Sequence, residues 1–299
     1  MDAWLSYTVN GLTAGSFYAL VALGYTMVYG VIRLFNLAHG EFYMVGAFAG
    51  WSVLNWLSAT NWPVALVLLL ALVAAMAGTS VLGLVAARVA YQPLLRAPRL
   101  SMLISAVGLS LALQYGVQRT YGAGFESYPH FLGAQAFSIG DVRISVAQLV
   151  VFGTALGLMQ ALRLFLNHST VGTAMRALAM DADGARLVGV NVERLILLTF
   201  VIGSALAAAA GFMTGLYYGQ ISFFMGFLVG LRAFTAAVIG GIGNVAGAMV
   251  GGLLIGLVES YAVGYTSGAW KDVVVFGVLI GVLVLRPTGI FGERVVARV

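Results

Sequence analysis

The chain has no cysteine, a single lysine, three histidines and charge on only 8% of its 299 residues. Without cysteine there is neither a disulfide framework nor a thiol nucleophile, and the redox compartment stays open. The lone Lys271 is followed by Asp272, which excludes a Walker A loop, since that motif needs lysine followed by serine or threonine. His39, His130 and His168 fall in separate segments with no ligand spacing, so no metal, no cofactor and no catalytic residue is expected. The charge content lies far below the roughly 25% of soluble domains. With 61% hydrophobic residues and a mean hydropathy of +1.00, the chain reads as an all-α, polytopic integral membrane protein. Its pI of about 9.6 would suggest nucleic acid in a soluble chain. Here the arginines stand in short loops between apolar runs, where they set orientation, and no nucleic-acid partner is expected.

Each crossing of the hydrocarbon needs about 20 mainly apolar residues. Runs of that kind lie near 7–29, 39–59, 62–87, 100–118, 145–166, 195–218, 226–243, 244–262 and 272–288. They make about nine transmembrane helices, with seven to ten compatible with the pattern, and leave residues 1–299 as one membrane domain. Asp2 stands where a secretory signal would carry positive charge, so the first apolar segment is expected to be retained. One side of the membrane would hold Arg33, Arg88, Arg96, Arg99, Arg163, Arg176, Arg186, Arg194, Arg286, Arg294 and Arg298, the other only Arg119, Arg143, Arg232 and Lys271. That asymmetry favours an outside N-terminus and a cytoplasmic C-terminus. The orientation needs an odd number of crossings, so a re-entrant pair at 226–262 would reduce nine to seven.

The 39 glycines recur at helical spacing. Gly11, Gly15 and Ala19 form a small-residue stripe on the first span, and Gly203, Ala207, Gly211, Gly215 and Gly219 form one on the sixth, as close helix packing in lipid requires. Gly240, Gly241, Gly243 and Asn244 read as a tight turn or as a helix break near a translocation pathway, where unwound backbone is tolerated because it lines a cavity. Asn36 joins them as a pathway candidate and as the cap of the second span, with Glu41 in its first turn. His39 and Glu41, two residues apart, do not share a helix face. Intramembrane charges are functional suspects by default. Arg232 and Glu259 lie close enough to a span end to act as interfacial anchors, or to line an outer vestibule or receptor-docking surface with Arg119, Glu126 and Arg143.

The most informative stretch is a polar island at 167–194, NHSTVGTAMRALAMDADGARLVGVNVER, between two long apolar spans. A helix there would set Ala182, Ala185 and Gly189 along one small-residue edge flanked by Asp183 and Arg186. Such an edge could seat in a groove of a soluble partner.

The segments NLAHGE at 36–41, ALAMDADGARLVGVNVER at 177–194 and AVIGGIGNVAGAMVGGLLIGLVES at 237–260 together resemble the LivH-type permeases of branched-chain amino-acid ABC importers. The resemblance covers nearly the whole chain. It implies the ABC-importer permease fold in a bacterial cytoplasmic (inner) membrane, with a second homologous permease subunit, two cytoplasmic ATP-binding subunits and an extracytoplasmic substrate-binding protein as partners. The cargo would be a small amino acid, moved by alternating access without chemistry in this chain. The coupling element would be the cytoplasmic segment 167–194, with Arg176, Asp181, Asp183, Ala185, Arg186, Gly189 and Asn191. Where the family usually has Glu-Ala-Ala, this chain has Asp183-Gly184-Ala185. A helix-interior glycine costs about 1 kcal/mol relative to alanine, so the island helix is expected to be short or to form on docking. Two other readings stand beside this one, a permease for amides, urea or another amino acid, and a self-sufficient secondary transporter or channel.

Overall fold

The computed structural model describes residues 2–33, 35–95, 97–129, 131–132, 136–139 and 142–292. Arg96, His130, Arg294 and Arg298 lie outside the described residues. Eleven α-helices follow in order: α1 (Asp2–Ile32), α2 (His39–Leu57), α3 (Val64–Ala86), α4 (Arg99–Tyr121), α5 (Val146–His168), α6 (Thr170–Met180), α7 (Ala182–Leu187), α8 (Val192–Tyr218), α9 (Met225–Gly240), α10 (Val245–Tyr265) and α11 (Lys271–Leu285). A π-helical turn at Ala87–Tyr91 and a 3-10 turn at Gln92–Leu94 prolong α3. Two small antiparallel pairs complete the chain, β1 (Glu126–Ser127) with β4 (Gln220–Ile221) and β2 (Ala136–Ile139) with β3 (Val142–Ser145).

Nine of these helices occupy the nine expected segments; among the described residues seven spans are long and apolar enough to cross a membrane, those of α1, α3 with the turns that prolong it, α4, α5, α8, α10, and α11 together with the 3-10 turn at Gly268–Trp270 that precedes it. Seven such spans fall within the expected range of seven to ten and below the count of nine. The 16 residues of α9 rise about 24 Å, short of a hydrocarbon core of about 30 Å. The first turn of α2 carries His39 and Glu41 in what would be lipid depth. Both helices start inside the bundle.

Contacts along three neighbours show where α2 begins. A Cβ on Gly24 would meet the His39 ring, and Gly203 faces the same ring; Ser110 donates to Glu41. At 1.5 Å per residue these positions lie about 12 Å from the end of α1, about 16 Å from the start of α8 and about 16 Å from the start of α4. All three helix ends are on the island face, so the segment after α1 dips back before α2 runs to the opposite face. The chain re-enters again between α8 and α9, and Gly226 and Gly230 of α9 abut Gly40 of α2. Two helix N-termini therefore meet in the membrane interior.

The bundle closes around α1 and α8, which are mostly buried, while α3, α4, α5 and α11 form an exposed apolar rim. Small residues set this order. Gly11 and Gly15 of α1 lie against Leu257 and Leu253 of α10, and Gly252 and Gly256 of α10 lie against Ala19 and Gly15. On α8, Gly211 sits against Tyr43 of α2, and Gly215 beneath Tyr128. Gly219 takes no part in the stripe: it ends α8 with φ of 71°, the left-handed closing residue of a helix.

The loop before α5 is pinned to the far ends of α2 and α8. Trp51 Nε1 donates to the Ser127 carbonyl at 2.9 Å, Tyr128 N to the Gly219 carbonyl at 2.9 Å, and Tyr128 Oη to the Ala47 carbonyl at 3.1 Å.

A side chain at Gly256 would strike the α1 backbone at Gly11 and Gly15, whereas Gly277 on α11 has nothing within 4 Å of its Cβ position. Gly256→Leu should lower stability by about 1–3 kcal/mol, the range for overpacking, and Gly277→Leu should leave it unchanged. Thermal unfolding of the purified protein in detergent measures both, and equal melting of the two variants would refute the α1–α10 packing.

Candidate functional site

Three polar groups interrupt the apolar bundle: the island, the interior junction of α2 and α9, and an ion cluster towards the far face.

The island folds as α6 and α7, with a side-chain cap at each start. Ser169 Oγ accepts from Gly172 N at 2.9 Å, Asp181 Oδ1 from Asp183 N at 3.0 Å, and Asn191 Oδ1 from Arg194 N, at the start of α8, at 3.0 Å. Gly189, with φ of 85°, closes α7 as Val190 N bonds back to the Ala185 carbonyl at 3.0 Å. Of the two expectations for the helix around Gly184, the short one holds: α7 is formed without a partner and spans only the six residues Ala182–Leu187. A Cβ at Gly184 would stand 2.7 Å from Asp181 Oδ2, so this glycine makes room for the capping carboxylate.

The expected docking edge is also corrected. Ala185 is only 3% exposed and packs with the chain's own core, because the closing turn at Gly189 folds α7 back with that face inward. The outward surface carries Met180, Leu187 and Val188, exposed at 81%, 89% and 78%, beside the exposed Arg186–Asp183 ion pair at 2.9 Å. Arg176 reaches Asn167 Oδ1 at 3.2 Å and Thr173 Oγ1 at 3.3 Å. An open recess of about 260 Å³ runs between α6 and α8, lined by Val171, Ala174, Asn191 and Arg194 among others.

Arg33, which sequence reading took only as a topology signal, connects the island to the interior. Its Nη2 donates to the carbonyls of Ala179 and Met180, both at 3.3 Å, capping α6. It has φ of 55°, the only positive value at a non-glycine among the described residues, and it opens the re-entrant segment.

At the junction, Asn36, His39 and Glu41 are each 1–2% exposed. The capping role expected of Asn36 is corrected: α2 begins with Ala38 as its N-cap and no side-chain cap, because the chain turns two residues before the helix, where Asn36 Oδ1 accepts from Ala38 N at 3.0 Å. The depth of the motif was not legible. His39 turns towards α1, its ring 4.8 Å from that of Tyr25. Glu41 turns towards α4 and α9: Oε1 accepts from Ser110 Oγ at 3.0 Å, and Oε2 would stand 2.6 Å from a Cβ on Gly226. Asn36 Nδ2, His39 Nε2 and Glu41 Oε2 have no hydrogen-bond partner among the described residues. Two helix N-termini, each a site of partial positive charge, thus meet at a cluster of unused donors and acceptors.

Gly240, Gly241, Gly243 and Asn244 form the tight turn between α9 and α10, on the island face. Gly241 and Gly243 have φ of 101° and 92°, and Asn244 Oδ1 accepts from Gly247 N at 2.9 Å, capping α10. The C-terminal segment lies across the turn, Ile290 N donating to Ile239 O at 2.8 Å and Phe291 N to Gly240 O at 3.1 Å. The interior helix breaks are elsewhere, at the starts of α2 and α9.

Arg232 and Glu259 are not interfacial anchors, and this expectation is corrected. Both are under 10% exposed. Arg232 Nη2 lies 2.6 Å from Asp272, its Nη1 lies 3.6 Å from Glu259, and Lys271 lies 3.5 Å from Glu259. Tyr18 Oη donates to Glu259 at 2.6 Å. Two cations and two anions from α9, α10 and α11 neutralise one another around a tyrosine of α1. Arg119 and Arg143 are exposed on α4 and β3, and Glu126 is half-buried in β1; none of these three joins the cluster.

Residues 7–283 match the family described as the branched-chain amino acid transport system permease component. The chain is 45% identical to the high-affinity branched-chain amino acid transport system permease protein BraD of Pseudomonas aeruginosa, over 99% of this chain and 98% of that one. It is 42% identical to the corresponding permease protein LivH of Escherichia coli K12, again over 99% and 98%. Among solved structures, one described as an inward-facing ABC transporter of metal-chelate type covers 94% of this chain and 87% of its own, at 16% identity and a TM-score of 0.47; that likeness carries no argument.

Apart from this kinship, the ion cluster makes its own demand. Arg232→Met would leave the Glu259 and Asp272 carboxylates with Lys271 as the one cation of the cluster and should cost about 3–5 kcal/mol, the penalty for breaking a buried pair from one side. Arg232→Met combined with Glu259→Gln should cost less than the single change. Melting in detergent tests the order, and a double variant less stable than the single one would contradict the charge balance.

Proposed function

The chain belongs to the permease-component family of branched-chain amino acid transport systems, and from that footing we propose that it carries branched-chain or similar apolar amino acids inward. It would act as one of two related permease subunits, with two cytoplasmic ATP-binding subunits and an extracytoplasmic binding protein. ATP hydrolysis belongs to the partners, since this chain lacks a phosphate-binding lysine loop. In this reading residues 1–299 are a single permease domain in a bacterial inner membrane, with the N-terminus outside, the C-terminus inside and 167–194 as the cytoplasmic coupling segment.

The observation that carries this reading is the outward surface of the island. Met180 at the end of α6 and Leu187 and Val188 at the end of α7 stand nearly bare, where water rather than lipid would meet them. Exposed apolar groups rimmed by charge mark a protein contact. A groove in the ATP-binding subunit would take Leu187 and Val188, while Asp183 and Arg186 would guide docking and contribute little affinity, as exposed pairs give only about 0–1 kcal/mol. Closure of the ATP-binding subunits would push on α6 and α7. Arg33, bonded to the end of α6, would pass that movement to the re-entrant segment and so to the α2–α9 junction. Loaded receptor outside and ATP inside would then bias two arrangements of the same helices.

Two outcomes follow for the complete transporter. Leu187→Asp and Val188→Asp should abolish uptake and release the ATP-binding subunits during purification, with the permease still inserted and paired with its sister. Retention of those subunits together with full uptake would sink the coupling role of the island. For orientation, Ser127→Cys should be labelled by an impermeant thiol reagent from outside in intact cells, and Leu187→Cys should not; reversed labelling would overturn both the topology and the site given to the ATP-binding subunits.

A further inference from the structure

A cavity of about 80 Å³ opens beside the re-entrant segment, between the last turns of α1, the first turns of α4 and the π-helical turn after α3. Its apolar walls are Val28, Ile32, Phe35, Met102, Leu103 and Phe200. Asn36 and Tyr91 complete its lining, and the amide of Asn36 has an unused donor. Asn36 Oδ1 accepts from both Ala38 N, at 3.0 Å, and Tyr91 Oη, at 2.5 Å. A backbone N–H can only donate, so the oxygen must occupy that side of the amide and the orientation is not in doubt. The Nδ2 end, on a side chain only 2% exposed, is left without a partner while Asn36 lines the cavity. A buried donor without an acceptor is costly to maintain, and it makes sense where a ligand supplies the acceptor.

We propose that this cavity is a subsite of the transport pathway on the island side, holding the aliphatic side chain of the transported amino acid while Asn36 Nδ2 donates to a carboxylate oxygen. The inference rests on the transport reading above and adds to it the residues that select the cargo. Size argues for a branched aliphatic chain over an aromatic ring: the cavity is well below the roughly 150 Å³ that accepts benzene. Two local irregularities border it. The π-helical turn ends at Tyr91, which holds the amide. Arg33, in its left-handed conformation, starts the segment that carries Phe35 and Asn36. That same arginine grips α6, so a movement of the island would alter the floor of the cavity.

The test uses the complete transporter in proteoliposomes at saturating loaded binding protein, so that receptor selectivity drops out of the maximal rate. Asn36→Asp keeps the oxygen that holds Ala38 and Tyr91 and replaces only the donor. It should lower the maximal rate for leucine and valine by about 10- to 100-fold, the worth of one hydrogen bond to a charged group. Two cavity variants stand beside it in case the aspartate prevents insertion. Val28→Phe should reduce leucine and isoleucine transport more than alanine transport, and Met102→Ala should raise phenylalanine relative to leucine. Unchanged substrate ratios in both cavity variants, with wild-type leucine uptake intact, would overturn the subsite alone and mark the cavity as a lipid-filled or empty packing defect. Failure of the wild-type system to move any branched-chain amino acid would overturn the transport reading and the subsite with it.

Discussion

Backbone polar groups cannot be left bare in hydrocarbon, where each unmet N–H or C=O costs several kcal/mol, and this chain begins two helices there. The starts of α2 and α9 survive because they lean on each other through glycine. Gly40, Gly226 and Gly230 remove the side chains that would hold the two backbones apart, and Gly24 and Gly203 clear space for the His39 ring. The same small residues that pack α1 on α10 thus permit an interior of unwound backbone. In transporters such breaks are where small polar ligands are handled, and here they gather Asn36, His39 and Glu41 in one place.

Around that junction the molecule is stiffened at both ends. On the far face, Arg232, Glu259, Asp272, Lys271 and Tyr18 tie α9 to α1, α10 and α11. On the island face, the segment at Ile290–Phe291 takes up the last free carbonyls of α9. A short helix held at its middle and at its end moves as a body. Its free end, at Met225 and Gly226, is the end that touches Glu41. The island sits one hydrogen-bonded step from this arrangement, through Arg33. A push on α6 therefore has a physical route to the junction.

Much of this was readable from residue types. Apolar runs located all nine membrane helices to within a few residues, and the Gly240–Asn244 cluster announced its turn, because glycine with positive φ and a capping asparagine are local signals. The island was legible for the same reason: Ser169, Asp181 and Asn191 are caps that act within three residues. What failed were readings of single side chains whose partners are distant in sequence. Ala185 looked like an outward edge by helical spacing, but the fold of α7 against the bundle turned it inward and left Leu187 and Val188 outside. Arg232 looked like an anchor by its distance from a span end, since its counter-ions are 27 and 40 residues further along the chain.

The sequence by itself determined that this is a membrane protein, where its helices begin and end, which segment lies on the surface, and that it carries no ATP-binding loop of its own. These depend on composition, local periodicity and short-range caps. Only the tertiary structure decided that α2 and α9 start inside the membrane, that Asn36, His39 and Glu41 are interior rather than interfacial, and which face of the island looks outward. Hydropathy measures how apolar a segment is and not how deep it sits. Depth is set by what packs beside it, and here that is glycine meeting glycine across helices nearly two hundred residues apart.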